Sequence, residues 1–348
     1  MADSQSTTTR LNTEQFVQDI LTSIERERER EIIARRFGLF DRKETLEQIG
    51  ELLGITRERV RQLEKSVIAR LQHAAEQGEL SHVADIETIF LEQLHQNGEA
   101  ARISRLSDLV TAENTRTDQS RIAFLASLCP SLVVIEDNDR YHYAVGVSKV
   151  RDEKTIKATV AKLVDVIKKL GEPSDIEAIA KNADIADAKQ AEALASVSKD
   201  LATLNGRWGL IKWPMVNPKN IRDKIYVILK EHGKHMHFNE IAEAIKDSEF
   251  KRKDVTTQAI HNELIKDKRF VLIGRGIYAL KEWGYAKGTV ADIISEVLRE
   301  AGEPLHRDEI VKRVLKSRFV KETTILLNLQ GKSQFKRVAK ATYTLEEA

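Results

Sequence analysis

Residues 45–65 read TLEQIGELLGITRERVRQLEK, and this stretch decides the fold of the N-terminal part of the chain. Its first half carries four apolar residues at helical spacing: Leu46, Ile49, Leu52 and Leu53. This spacing predicts a short helix with one buried face. Gly54 predicts a tight turn, Ile55 is expected to pack into the angle after it, and Thr56 can cap a following helix. The stretch therefore predicts a helix-turn-helix.

The second helix of this motif is predicted to bury one face and to expose a charged one. Its apolar residues recur at helical spacing: Val60, Leu63, Val67 and Leu71. The opposite face carries polar and charged residues: Arg57, Glu58, Arg61, Gln62 and Lys65. Arginine, glutamine and glutamate side chains can read base edges in DNA, whereas further arginines and lysines suit phosphates. A charged face that contacts only solvent is the alternative, and spacing alone leaves both interpretations open.

The segment Arg28–Leu71 resembles region 4 of the sigma-70 family of bacterial RNA polymerase sigma factors. The resemblance rests on RERVRQLE at 57–64 and REREIIARRFGL at 28–39, and it covers roughly an eighth of the chain. It implies contacts to the bases of a minus-35 promoter element by Arg57, Glu58 and Gln62. It implies contacts to the DNA backbone by a second set: Thr56, Arg59, Arg61 and Lys65. Docking on the beta flap of the RNA polymerase core is implied as well.

The position of this segment departs from the family pattern. Only about two dozen residues precede it, too few for the helices that bind a minus-10 element and the polymerase clamp. The family places this module at the C-terminus of its members. We therefore expect half of a promoter-reading apparatus attached to other domains, not a self-sufficient sigma factor.

Composition limits what those other domains can be. A chain of 348 residues with 41% hydrophobic content can bury more than one core. The 56 basic and 54 acidic residues give a net charge of only +2, so attraction to nucleic acid must come from local patches. The stretch 74–144 is acidic and is not expected to lie on DNA. The alternating tract Glu25–Glu31 predicts ion pairs along a solvated helix.

The remaining sequence repeats itself. Three segments align without gaps: Gly171–Ala180, Gly233–Ala242 and Gly302–Val311. Each follows an amphipathic helix and precedes another helix and a β-hairpin signal. The clearest hairpins are predicted at Phe270–Leu280 and Phe335–Leu345, with divergent ones at Val133–Val145 and Trp208–Trp213. Three helices followed by a hairpin are typical of a winged helix.

The fold class predicted from these patterns is mainly α with small β-hairpin wings: an N-terminal helix-turn-helix bundle followed by tandem winged-helix domains. The expected division is a disordered tail at 1–12, the bundle at 13–75, and winged helices at 85–147, 155–214, 219–285 and 289–346. The unit at 219–285 resembles the HARE-HTH winged helix, also found in the delta subunit of bacterial RNA polymerase, through HFNEIA at 237–242 and GIYAL at 276–280. The last unit resembles it less strongly.

A second basic patch is predicted in the unit at 219–285. Its members could bind phosphates: Lys251, Arg252, Lys253, Lys266, Lys268 and Arg275. The alternative is the solvated surface of a protein-docking module. No metal site is predicted, since His235, His237 and His306 have no acidic or cysteine partner at ligand spacing. Cys129 is expected to be a buried structural thiol.

No cofactor and no enzymatic activity are expected, because the chain has neither a phosphate-binding loop nor a dinucleotide fingerprint. The polar N-terminus and the lack of a long apolar run predict no membrane segment and a cytoplasmic, nucleoid-associated bacterial protein. Two functions remain open. One is a sequence-specific transcription factor that binds promoter DNA as a monomer. The other is a delta-like or sigma-competing regulator that binds RNA polymerase and has little DNA affinity of its own.

Overall fold

The computed structural model describes residues 10–285 and 288–346. The chain forms two compact units, one ending at Ile211 and the other beginning at Lys212. Within the described residues there are sixteen α-helices and four small antiparallel sheets of three strands each. The predicted fold class, mainly α with small wings, is confirmed.

Four helices form the N-terminal bundle: α1 Thr13–Thr22, α2 Glu27–Phe37, α3 Leu46–Leu53 and α4 Arg57–Glu76. Helix α2 ends at Gly38, whose left-handed backbone (φ 68°) turns the chain towards α3. Residues 1–9 of the predicted tail lie outside the described residues. The prediction is wrong for the end of that tail, because the amide of Leu11 donates to the carbonyl of Val110 at 2.8 Å and Asn12 caps α1.

Four repeats follow, each with a helix, a short strand, two helices and a two-stranded wing. The first contains α5 Ser81–Gln96, β1 Ala100–Arg102, α6 Ile103–Val110, α7 Arg116–Leu128, β2 Leu132–Ile135 and β3 Ala144–Val147. The second contains α8 Glu153–Leu170, β4 Ser174–Asp175, α9 Ile176–Asn182, α10 Ala188–Val197, β5 Leu201–Leu204 and β6 Arg207–Leu210. The third contains α11 Ile221–His232, β7 Met236–His237, α12 Phe238–Asp247, α13 Thr257–Lys266, β8 Phe270–Gly274 and β9 Ile277–Leu280. The fourth contains α14 Val290–Ala301, β10 Leu305–His306, α15 Arg307–Ser317, α16 Glu322–Gly331, β11 Phe335–Ala339 and β12 Thr342–Leu345.

The repeat signals in the sequence correspond to defined turns. Gly171, Gly233 and Gly302 end the first helices of the last three repeats, with φ of 77°, 71° and 66°. In every sheet the third strand lies between the first and the second. The hairpin predicted at 208–213 is misplaced. The actual turn is Asn205-Gly206, with φ of 50° and 75°, and such Asn-Gly pairs favour two-residue hairpins.

One apolar core joins the bundle to the first repeat. The ring of Phe37 in α2 packs edge-on against Phe124 in α7, with centroids 5.1 Å apart. Arg121 of α7 donates to the carbonyl of Leu39 at 2.9 Å, and Gln72 of α4 donates to the carbonyl of Ser127 at 2.8 Å. The third helix of the first repeat is therefore used to hold the bundle.

The second repeat is attached to the first in a similar way. Helix α10 packs against strand β1, and Arg102 donates to the carbonyl of Ser196 at the end of that helix. The amide of His142 donates to the carbonyl of Val197 at 2.9 Å. In the second unit, by contrast, α13 and α16 present exposed side chains such as Ile265 and Leu327. Among the described helices, none is both long and apolar enough to cross a membrane.

Candidate nucleic-acid interface

The turn between α3 and α4 is fixed by local contacts. Thr45 and Gln48 form a capping box at the start of α3, and Gly54 ends that helix with a left-handed backbone at φ 63°. The amide of Ile55 then donates to the carbonyl of Gly50 at 2.9 Å. A Cβ atom on Gly50 would lie 2.7 Å from the carbonyl oxygen of Ile55, so the close approach of the two helices requires glycine at this position.

A small apolar cluster beneath α4 sets the orientation of that helix. Ile32, Ile49 and Val60 are fully buried. Four partly buried residues surround them: Leu46, Leu53, Ile55 and Leu63. The prediction that Leu52 is buried is wrong, because 55% of this residue is exposed at the margin of the apolar stripe. The packing of Ile55 between the helices is confirmed.

The predicted DNA-contacting residues all lie on the exposed side of α4. The side chains of Arg57, Glu58 and Arg61 are 69%, 58% and 54% exposed. Gln62 and Lys65 are exposed as well. At 3.6 residues per turn, Glu58, Gln62 and Lys65 form one row opposite the buried Val60 and Val67. Two arginines flank this row on opposite sides: Arg59 and Arg61.

These side chains are paired with one another in the free protein. Arg57 lies 2.8 Å from Glu47 of α3, and Arg61 lies 2.7 Å from Glu58. The side-chain amide of Gln62 donates to the carboxylate of Glu58 at 3.4 Å. The hydrogen bond from Arg61 lowers the pKa of Glu58, and the same bond raises the pKa of Arg61. Exposed pairs of this kind contribute little, so DNA phosphates can displace them.

Two backbone-contacting candidates are also tied to the helix. The hydroxyl oxygen of Thr56 accepts from the amide of Arg59 at 3.2 Å and caps α4. Its hydroxyl hydrogen can still be donated to a phosphate. The guanidinium of Arg59 donates to Gln62 at 3.4 Å. The cap therefore sets the orientation of the first turn, where the base-facing row begins.

A buried carboxylate, missed from the sequence, fixes α4 against α2. Glu29 is only 5% exposed and pairs with Arg70 of α4 and, at 3.3 Å, with Arg26 just before its own helix. Arg36 of α2 pairs with Glu64 of α4 at 3.1 Å. The alternating tract at 25–31 is thus not merely solvated. The signal was available, since Glu29 lies one turn before the apolar Ile32 and Ile33.

The residues of the second basic patch come from three parts of the third repeat. Lys251, Arg252 and Lys253 lie in the exposed loop before α13. Lys266 is the last residue of α13, and Lys268 lies between that helix and the wing. Arg275 is exposed in the wing turn.

A buried lysine fixes the first part of that patch. The ammonium of Lys224 in α11 donates to the carbonyls of Lys251 and Arg252 at 2.8 and 2.7 Å. Burial lowers the pKa of Lys224. Arg252 has a left-handed backbone, with φ of 59°. The loop therefore has a defined conformation even though its three basic side chains are exposed.

The remaining candidate ligands have structural roles. His237 and His306 cap α12 and α15 by accepting from backbone amides. His235 packs against Phe319, with ring centroids 4.5 Å apart. Cys129 is buried, and burial raises the pKa of its thiol. No group of three or more His, Cys, Asp or Glu side chains in the described ranges could hold a metal ion.

Comparison with known proteins concerns the same N-terminal segment. Residues 26–73 match the family model described as Sigma-70, region 4. A stretch of 58 residues is 43% identical to RNA polymerase sigma factor SigA from Bacillus sp, and it covers 16% of this chain and 15% of that protein. The chain thus matches only about a seventh of the length of this relative. The similarity to a sigma-70 region 4 therefore applies to the segment that holds α2, α3 and α4, with its exposed row of polar and charged side chains.

Proposed function

We propose that this protein is a sequence-specific DNA-binding transcription factor that acts in bacterial transcription initiation and reads a minus-35-like element through α4. The exposed row Glu58, Gln62 and Lys65, held on a fixed helix-turn-helix within the region 4-like segment, carries this proposal. The helix would enter the major groove, which admits an α-helix and presents a distinct pattern for each base pair.

Binding would exchange intramolecular pairs for contacts to DNA. Arg57 would leave Glu47 to bond guanine, Gln62 would bond adenine, and Glu58 would accept from a cytosine amino group. Four further residues would bind phosphates: Thr56, Arg59, Arg61 and Lys65. Because the exchanged pairs are exposed, the loss of their mutual attraction costs little compared with the new contacts.

The repeats are proposed to add contacts to DNA or to polymerase. We retain the division at 85–147, 155–214, 219–285 and 289–346, and the resemblance of the last two to HARE-HTH and delta-like winged helices, as proposals. The loop Lys251–Lys253 would be an additional phosphate contact in the third repeat. The partners proposed are promoter DNA and the RNA polymerase core, with its beta flap, for a monomer in the bacterial cytoplasm at the nucleoid.

A second candidate function is a polymerase-binding regulator with little DNA affinity, of the delta-like or sigma-competing kind. The packing of α7 and α10 supports it, because these third helices pack against neighbouring parts of the protein. Retention of the polymerase core by the full-length protein, together with DNA binding that ignores sequence, would favour this alternative.

Selection from a pool of random duplexes tests the proposed function. The full-length protein and Arg57→Ala are each carried through several rounds of binding and sequencing. We expect the parent to enrich one short motif related to a minus-35 element and the variant to enrich it less or lose preference at one position. A pool that remains random after selection by the parent would contradict sequence-specific reading.

A further inference from the structure

The wings of the third and fourth repeats have the same register. Phe270 pairs with Leu280 in one, and Phe335 pairs with Leu345 in the other. Both hairpins contain an irregularity one residue before the end of their first strand. The two wings therefore correspond residue by residue.

One face of the wing is buried in the third repeat and more exposed in the fourth. Val271 is 1% exposed and packs with Ile273 and Ala279 in a small core that Trp283 and Tyr285 partly cover. Three residues take their places in the fourth repeat: Lys336, Val338 and Thr344. Lys336 is exposed, and Val338 is 50% exposed. A strand position that is part of the core in the third repeat is thus exposed to solvent in the fourth.

A second replacement occurs at the turn of the wing. In the third repeat the amide of Phe238 donates to the carbonyl of Gly276 at 3.0 Å. In the fourth, the amide of Arg307 donates to the carbonyl of Ala341 at 2.8 Å. The contact is the same, but an arginine replaces an aromatic residue. This contact places Arg307 beside the turn that contains Lys340.

The charge of the fourth repeat is strongly one-sided. Between residues 307 and 340 there are ten basic and three acidic residues. Two of the acidic residues are already paired, Asp308 with Arg307 at 3.2 Å and Glu309 with Arg313 at 2.7 Å. Within the described residues, no carboxylate lies within ion-pair distance of three wing side chains: Lys336, Arg337 and Lys340. The net charge of +2 for the whole chain conceals this local excess.

We infer that the basic wing, defined as Arg307, Lys336, Arg337 and Lys340, binds the phosphate backbone of duplex DNA without regard to sequence. The inference rests on the proposed function, because DNA is the partner that α4 would already hold. An exposed two-stranded ribbon can follow a DNA groove, and lysine and arginine on it neutralise phosphates. The exposed Val338 lies between the charged residues and can rest on a sugar.

The test is a salt series with the full-length protein and a scrambled duplex. In the wing variant, Lys336, Arg337 and Lys340 are all replaced by glutamine. Each phosphate contact contributes about 0.9 to the slope of log K against log salt concentration, so the slope should become smaller by about 2 to 3. The control replaces three exposed lysines of α8 by glutamine: Lys154, Lys168 and Lys169. The control should keep the parental slope, and all variants should keep the parental unfolding temperature.

Two readouts separate this inference from the proposed function. The ratio of affinities for a minus-35-like and a scrambled duplex reports on α4, whereas the salt slope reports on the basic wing. If the parent shows no sequence preference, the proposed function fails, yet the wing variant still tests the inference. An unchanged slope and affinity in the wing variant would overturn the inference. That result would also be expected if the wing binds an acidic protein surface instead.

Discussion

Glu58 is a carboxylate in the middle of a surface proposed to face DNA. Its hydrogen bond from Arg61 lowers its pKa, so it stays ionised at neutral pH. A negative charge there repels phosphate and disfavours DNA that offers it no amino group to bond. Specificity therefore includes a repulsive element as well as the attractive contacts of Arg57 and Gln62.

Replacing that carboxylate should relax discrimination. Glu58→Gln is expected to increase affinity for a scrambled duplex by about two- to fivefold, the range that one exposed charge contributes. Affinity for the preferred duplex should rise less or fall, because a contact is lost. Fluorescence anisotropy measures both. Glu76→Gln, at the far end of α4 and also 58% exposed, is the matched control. Equal changes for both duplexes would contradict a reading role for Glu58.

Gly50 is the residue on which the motif geometry depends most directly. Its missing Cβ allows the carbonyl of Ile55 to approach, and an added methyl group would lie 2.7 Å away from that oxygen. Gly50→Ala should therefore destabilise the first unit by about 1 to 3 kcal/mol. Denaturant unfolding measures the loss. Gly331→Ala, where nothing lies within 4 Å of the added atom, should be close to neutral in the second unit. Full stability of Gly50→Ala would mean that the turn can relax.

For helices and turns, the sequence predicts local structure better than it predicts packing partners. Gly54, Thr56 and the left-handed glycines at 171, 233 and 302 act on their own helices, so their turns could be predicted. The packing partner of α7 could not be predicted. Its apolar residues indicate burial, but amphipathic spacing does not say whether the covering partner is its own repeat or the neighbouring bundle. The ion pair of Glu29 with Arg70 escaped prediction for the same reason, because its partners are 41 residues apart.

The shared core predicts that the bundle depends on the first repeat. Phe124 is fully buried and packs on Phe37, so Phe124→Ala should destabilise the first unit by about 3 to 5 kcal/mol. In a denaturant titration, binding to promoter-like DNA and the helical structure of the first unit should be lost at the same denaturant concentration. Leu327→Ala, at a 68% exposed position of α16, provides a control with little expected effect. A variant whose bundle still binds DNA after the first repeat has unfolded would contradict a common core.

The two units of the protein contain the same repeat but use its third helix differently. In the first unit α7 and α10 join neighbours, whereas in the second unit α13 and α16 keep exposed faces. The amino-acid composition does not predict this difference, since it is an average over the whole chain. The small net charge likewise hides the basic wing.

The contact between the first two repeats should weaken in acid. Burial lowers the pKa of His142 below its ordinary value of 6.5, and the charge of Arg102 lowers it further. The folded state thus favours the neutral ring. The stability it contributes is present above pH 6.5 and is lost as the pH falls from 6.5 towards the lowered pKa. His142→Gln should reduce the difference between unfolding temperatures at pH 7 and about pH 5.5. An unchanged difference would exclude His142 as the source.

The most direct test of DNA reading is fluorescence anisotropy of the full-length protein with a minus-35-like duplex and a scrambled one. Gln62→Ala is compared with Gln77→Ala, which removes an exposed glutamine at the other end of α4. We predict that Gln62→Ala loses about 1 to 3 kcal/mol on the preferred duplex and nothing on the scrambled one, while Gln77→Ala matches the parent. If the parent and Gln62→Ala bind both duplexes equally, α4 does not read DNA sequence.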